Sequence, residues 1–137
     1  MEKITVTAWI HAPLEKVWRC YTQPAHITQW NFADPSWHCP FAENDMRIGG
    51  TYKARMEARD GSFGFDFEAV YIEIDPPFGF IYGFGERTAK VEFKEQENGT
   101  NVIITFDPET IHSIDLQRSG WQAILNHFKS YTEHEAE

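Results

Sequence analysis

Along most of this chain apolar residues alternate with polar ones, and in three stretches the alternation gives way to a spacing of three and four. In Lys3–His11, Ile4, Val6, Ala8 and Ile10 share one phase and Thr5, Thr7, Trp9 and His11 the other, the pattern of a half-buried strand. Trp9, on the polar phase, needs a cover from elsewhere in the chain. Ala12-Pro13-Leu14-Glu15 then opens a helix. Proline suits the first helical turn, where its missing N–H has no partner to lose, and a carboxylate there suits the helix dipole. Leu14, Val17, Trp18 and Tyr21 repeat at helical spacing, and Pro24 begins a second short helix through about Gln29 that turns Ile27 and Trp30 inward. The longest helical pattern comes last, in Ser113–Glu133. Trp121, Ile124, Leu125 and Phe128 form one face there, Gln117 and Ile114 extend it backwards, and Thr132 lies a turn beyond. Its 21 residues would span roughly 31 Å.

Between these helices the period is two. Asn31–Asp45 is the exception: with Pro35, Trp37, His38, Cys39, Pro40 and Phe41 in no clean phase, it is expected to be a long loop. From Met46 the chain reads as a meander. A strand over Met46–Arg59 is interrupted by Gly49-Gly50, Asp60-Gly61 signals a hairpin, and Phe63–Ile74 follows with Phe63, Phe65, Phe67, Ala69 and Tyr71 in one phase. In that strand Val70, Ile72 and Ile74 hold the opposite phase, so the buried face changes or both faces are covered. Asp75-Pro76-Pro77 ends it. Strands are then expected over Phe78–Phe84, Arg87–Glu95 and a last one carrying Val102, Ile104 and Phe106, the final two joined by a type I′ turn at Asn98-Gly99. The pattern predicts an α+β fold: a curved antiparallel sheet of about six strands wrapped around the C-terminal helix, with two short helices after the first strand and a single domain over residues 1–137.

Composition narrows the classes. Aromatic residues make up 15% of the 137, enough rings for a large core or for a ring-lined cavity. Twelve basic and 21 acidic residues leave a net charge of −9, which argues against nucleic acid and against anionic membrane surfaces. No apolar run approaches the length of a membrane span and no secretory pattern follows the initial methionine, so a cytoplasmic protein is expected, in keeping with only two cysteines, Cys20 and Cys39.

Taken together, several short motifs resemble the START/Bet v 1-like superfamily, and within it the group named after the C-terminal domain of the activator of Hsp90 ATPase. They are Ala12-Pro13-Leu14-Glu15-Lys16-Val17-Trp18, Gln29-Trp30, Met46-Arg47-Ile48-Gly49-Gly50-Thr51-Tyr52, Ile74-Asp75-Pro76 with Phe80-Ile81-Tyr82, Gly99-Thr100-Asn101-Val102, and Gly120-Trp121. The resemblance implies the helix-grip fold. It implies as function the binding of a hydrophobic or amphipathic small molecule such as a lipid, an aromatic compound or a polyketide. It also implies two alternatives: an enzyme of cyclase or hydrolase type, and an Hsp90-activator-like interaction module. The activator itself also needs an N-terminal domain that these residues do not supply, which argues against a chaperone as partner. The oligomeric state, monomer or homodimer, is open at this stage.

On this reading the candidate pocket walls are Trp30, Trp37, Phe41, Tyr52, Met56 and Phe67, with Tyr71, Tyr82, Trp121, Leu125 and Phe128. The competing reading is that the same rings simply fill the core. His38 would be a polar handle at the pocket mouth. Gly120 beside Trp121 suggests close approach or local bending. No catalytic residue, cofactor or metal is expected. Asp34, His38, Cys39, Glu43 and Asp45 lack ligand spacing, and adjacent His38 and Cys39 point different ways. An enzyme would need at least two of His38, Glu57, Glu68 and Tyr82 to converge on one cavity. Arg55 and Glu57, with Asp66 and Glu68 on the next strand, form either an outer charge network or a polar floor. Parity alone leaves this open.

Overall fold

The computed structural model describes residues 2–135. In chain order these residues form β1 (Ile4–Ile10), α1 (Leu14–Thr22), α2 (Pro24–Trp30), β2 (Trp37–Asn44), β3 (Thr51–Ala58), β4 (Gly64–Asp75), β5 (Gly79–Phe84), β6 (Arg87–Gln96), β7 (Gly99–Phe106) and α3 (Ile114–His134). The strands make one antiparallel sheet in the order β1-β7-β6-β5-β4-β3-β2, curled around α3. The architecture is the α+β wrap that the pattern predicts and the helix-grip fold that the resemblance implies.

The sheet has one strand more than expected. Trp37–Asn44 is an edge strand paired to β3, not a loop. Its register shifts between His38 and Phe41, around Pro40, so the inward phase runs through Trp37 and Cys39 and resumes at Ala42. One extra residue destroys the alternation by which a strand is recognised. The same device acts in β4. A shift between Tyr71 and Glu73 turns Ile74 toward the core opposite Phe80, while Val70 and Ile72 remain on the outer face. Gly49-Gly50 does not interrupt a strand. It forms the turn that precedes β3, with Gly49 at φ +85°.

The β6–β7 turn is framed one residue earlier than Asn98-Gly99 suggests. Gln96 pairs with Gly99, and the two central positions with positive φ are Glu97 (50°) and Asn98 (64°). Gly99 is the first residue of β7. It is glycine because a Cβ there would sit 2.5 Å from the Ile10 carbonyl oxygen and 2.6 Å from the Trp9 ring. The cover that Trp9 needs is this hairpin: its indole N–H donates to the Gln96 carbonyl at 2.7 Å.

Helix α3 starts at Ser113, whose hydroxyl accepts the Leu116 N–H at 3.1 Å, a standard N-cap. Leu125, Phe128 and Thr132 are buried, as is Gln117, but Ile114 is exposed. The polar residues beside the apolar stripe fasten the helix to the edge of β1. Gln122 Nε2 donates to the Thr7 carbonyl at 3.0 Å and Lys129 Nζ to the Trp9 carbonyl at 2.6 Å, while the Glu133 carboxylate accepts the His11 N–H at 2.8 Å. These bonds occupy outward-facing backbone groups of β1 that would otherwise recruit a foreign strand. Both cysteines are buried free thiols.

Candidate functional site

A straight helix cannot fill the concave side of a curled sheet along its whole length. Under the front half of α3 the mismatch leaves a cavity of about 440 Å³, within the range of about 300–1,000 Å³ usual for small-molecule sites. Its walls come from almost every element: Tyr21 from α1, Trp30 from α2, Tyr52 and Met56 from β3, Phe65 and Phe67 from β4, Tyr82 and Phe84 from β5, Ile104 from β7, and Trp121, Ile124 and Leu125 from α3. The rings brace one another. Phe67 lies 5.9 Å from Tyr82 and 5.2 Å from Phe84, Tyr52 lies 5.6 Å from Tyr82, and Trp121 stacks on Phe106 at 3.9 Å and 11°. Locked rings keep the space open, because closing it would require several of them to leave their packing together.

Three phenols bring polarity into this apolar space. Tyr52 accepts a hydrogen bond from Asn31 Nδ2 at 3.2 Å, leaving its own proton free to donate. The hydroxyls of Tyr21 and Tyr82 have no hydrogen-bond partner among the described residues, and neither is fully sealed from the cavity. Burial raises all three phenols above their ordinary value, and the neighbouring phenols push Tyr21 and Tyr52 up further. They therefore stay protonated near neutral pH and present O–H donors to whatever enters.

The mouth is polar and comes from the turn between β5 and β6 and from the segment before α3. Gln117 ties that segment down: its Oε1 accepts the Glu109 N–H at 2.8 Å, and its Nε2 donates to the carbonyls of Glu109 (3.1 Å) and His112 (3.0 Å). The Glu109 carboxylate accepts the His112 N–H at 2.6 Å and lies 3.1 Å from His112 Nδ1. The backbone bond from His112 is the main cause that holds the Glu109 carboxyl below its ordinary value. Arg87 completes the rim, its Nε donating to the Asp107 carbonyl at 3.0 Å and its Cζ 4.8 Å from the centre of the Phe84 ring.

Of the residues singled out from the sequence, Trp30, Tyr52, Met56, Phe67, Tyr82, Trp121 and Leu125 line this cavity. Five others lie elsewhere. Trp37 packs one layer out, against Phe63 and Phe65. Tyr71 is buried behind the wall, its hydroxyl donating to Asn44 Oδ1 at 2.6 Å. Phe128 fills the core behind Tyr21 and Trp30, at 4.9 and 5.0 Å. Phe41 and His38 point to the outer face, Phe41 opposite Arg55 and His38 opposite Glu57: His38 alternates with inward Trp37 and Cys39, and the bulge in β2 reverses the phase of Phe41. That face carries the charge network: Arg55 pairs with Glu57 (2.9 Å) and Asp66 (3.6 Å), Lys53 with Glu68 (3.9 Å) and His38 with Glu57 (3.8 Å). Among His38, Glu57, Glu68 and Tyr82, only Tyr82 reaches the cavity. Nor does Gly120 permit a close approach, since nothing lies within 4 Å of where its Cβ would stand.

Sequence reasoning missed the wall residues Tyr21, Phe65, Phe84, Ile104 and Ile124 and the polar lining residues Arg87, Glu109, His112, Gln117 and Asn31. The available signal was Gln117, a glutamine in line with an apolar helical stripe. Such a residue is either exposed or satisfied by backbone that must run close by.

The family described as activator of Hsp90 ATPase homolog 1-like protein matches over residues 11–133. Among solved structures, an AHSA1-like protein from Aeromonas hydrophila, determined in solution, superposes with a TM-score of 0.90 at 35% identity, with 98% of each chain covered. A protein from Cytophaga hutchinsonii is 44% identical with a TM-score of 0.82, over 98% of this chain and 97% of that one. One from Chromobacterium violaceum has the same fold, with a TM-score of 0.87 at 21% identity over 98% and 100%. No curated protein matches the chain.

Proposed function

The chain belongs to the activator of Hsp90 ATPase homolog 1-like family, and from that premise we propose that it binds an amphipathic small molecule with an aromatic or aliphatic body. The observation that carries this reading is the cavity itself: about 440 Å³ of ring-walled space with unpartnered tyrosine hydroxyls inside and a polar rim. Apolar walls supply affinity through area removed from water, roughly 25 cal/mol per Å² before the costs of association. The phenols orient an oxygen or nitrogen acceptor on the ligand, since an acceptor left unpaired among them costs about 1–3 kcal/mol. The domain acts as a carrier or sensor in this reading. Two free buried thiols support a reducing, cytoplasmic setting.

Titration with the neutral fluorescent probe N-phenyl-1-naphthylamine tests it. Saturable one-to-one binding with a rise in fluorescence is expected, abolished by Ile124→Trp, which places an indole in the cavity. A probe that does not bind, or that binds the filled variant equally well, overturns the reading. Native mass spectrometry of the freshly purified protein identifies the natural ligand class.

A further inference from the structure

We infer that Arg87 makes this cavity selective for ligands that carry a carboxylate, the acid group held at the mouth and the apolar body lodged among the rings. The inference rests on the cavity being a ligand site and adds the chemical class that the site takes.

Arg87 opens β6 just after the turn at Gly85, at the rim of the cavity. Two contacts fix its guanidinium. Nε donates to the Asp107 carbonyl at 3.0 Å, and the group lies over the Phe84 ring, itself a cavity wall, at 4.8 Å. Its two terminal nitrogens have neither an ion-pair nor a hydrogen-bond partner among the described residues. A charged fork anchored on one edge and open on the other matches the two oxygens of a carboxylate, and Arg suits this pairing better than Lys because its donors are coplanar.

The nearby carboxylates form no ion pair with it, because each is hydrogen-bonded elsewhere, although Glu109 and Arg87 attract one another through space. Asp107 Oδ1 is 2.5 Å from Lys3 Nζ, and its Oδ2 accepts the Thr88 N–H and hydroxyl at 2.8 and 3.1 Å. Glu109 is engaged by the His112 backbone and imidazole. Glu109 still opposes an incoming anion through space, so the preference is set by the direct contact with Arg87, not by the field of the rim. Deeper in, the phenols donate to a second oxygen on the ligand body.

Isothermal titration with naphthalene-2-carboxylate and its neutral isostere naphthalene-2-carboxamide reads the preference directly. The wild-type protein is expected to bind the acid about tenfold more tightly than the amide. In Arg87→Gln the ratio falls to about one, and Arg87→Lys retains only part of it. Thermal melts of both variants report whether they fold. Wild-type protein that binds the amide as well as the acid overturns the carboxylate assignment and leaves the cavity reading standing. A ratio that survives in a folded R87Q also overturns the assignment to Arg87. Binding of neither compound overturns both.

Discussion

Asp107 ties the N-terminus to the start of β6: its carboxylate binds Lys3 and Thr88, and its backbone carbonyl accepts from Arg87 Nε. The Lys3 hydrogen bond, followed by that of the Thr88 N–H, holds its carboxyl below the ordinary value of 3.8. A carboxyl depressed in the folded state contributes stability that is fully present above the unfolded value and is lost as pH falls through the folded one. Asp107→Asn is therefore expected to cost about 1 kcal/mol near neutral pH and to flatten the stability curve below pH 3.8. Urea denaturation across pH 2–7 checks both, and a variant whose curve parallels the wild type would contradict the account. Gly99 and Glu97 offer a second residue-level test. Gly99→Ala is expected to lose about 1–3 kcal/mol by overpacking against Trp9 and Ile10. Glu97→Gly is expected to gain about 0.5–1 kcal/mol by relieving a left-handed φ. The hairpin was legible from Asn98-Gly99, but its frame was not. The residue that demands a glycine is Trp9 on another strand, and nothing local to the turn reports its position.

At the scale of elements, α3 works through two faces. The apolar stripe was legible from spacing alone, since Leu125, Phe128 and Thr132 recur at three and four and are buried. The polar positions beside it read as ordinary solvated surface, yet Gln122 and Lys129 occupy the free carbonyls of β1. Replacing both with alanine is expected to lower stability by about 1–2 kcal/mol. It should also favour self-association through the bared edge. Denaturant melts and size-exclusion chromatography measure the two effects, and an unchanged elution profile with an unchanged midpoint would refute the edge-capping role. The opposite edge, β2, escaped the sequence for a related reason. A strand bearing Pro40 and a bulge is a poor pairing template, which suits an edge, and it is also a poor match to period two.

For the whole molecule, the wrap of sheet around helix follows from the order of patterns, whereas the seven expected wall residues that line the cavity follow from the resemblance and the abundance of rings. The rim follows from neither. Arg87 opens a strand, Gln117 sits on a helical stripe and Glu109 and His112 lie in the irregular segment between, and they meet only because the sheet curls far enough to bring the β5–β6 turn beneath the front of α3. A period-based reading locates surfaces that must be covered. Where the covering is incomplete depends on curvature, and curvature is set by bulges that erase the pattern.

Gly120 has the last consequence. Behind it α3 is fixed by buried Leu125, Phe128 and Thr132 and by the bonds to β1; ahead of it Gln117 is the buried anchor, with Ile114 and Leu116 in solvent. With open space at its missing Cβ and the backbone freedom of glycine, this is the position at which the front of α3, tethered through Gln117, bends most readily over the cavity. Gly120→Ala is expected to stabilise the protein by about 0.5–1 kcal/mol and to slow ligand entry and exit alike, leaving affinity nearly unchanged. Amide exchange should run faster over residues 114–120 than over 122–132, and stopped-flow binding to the variant should show both rate constants reduced. Uniform exchange along the helix, or rates equal to the wild type, would mean that the ligand enters by another route.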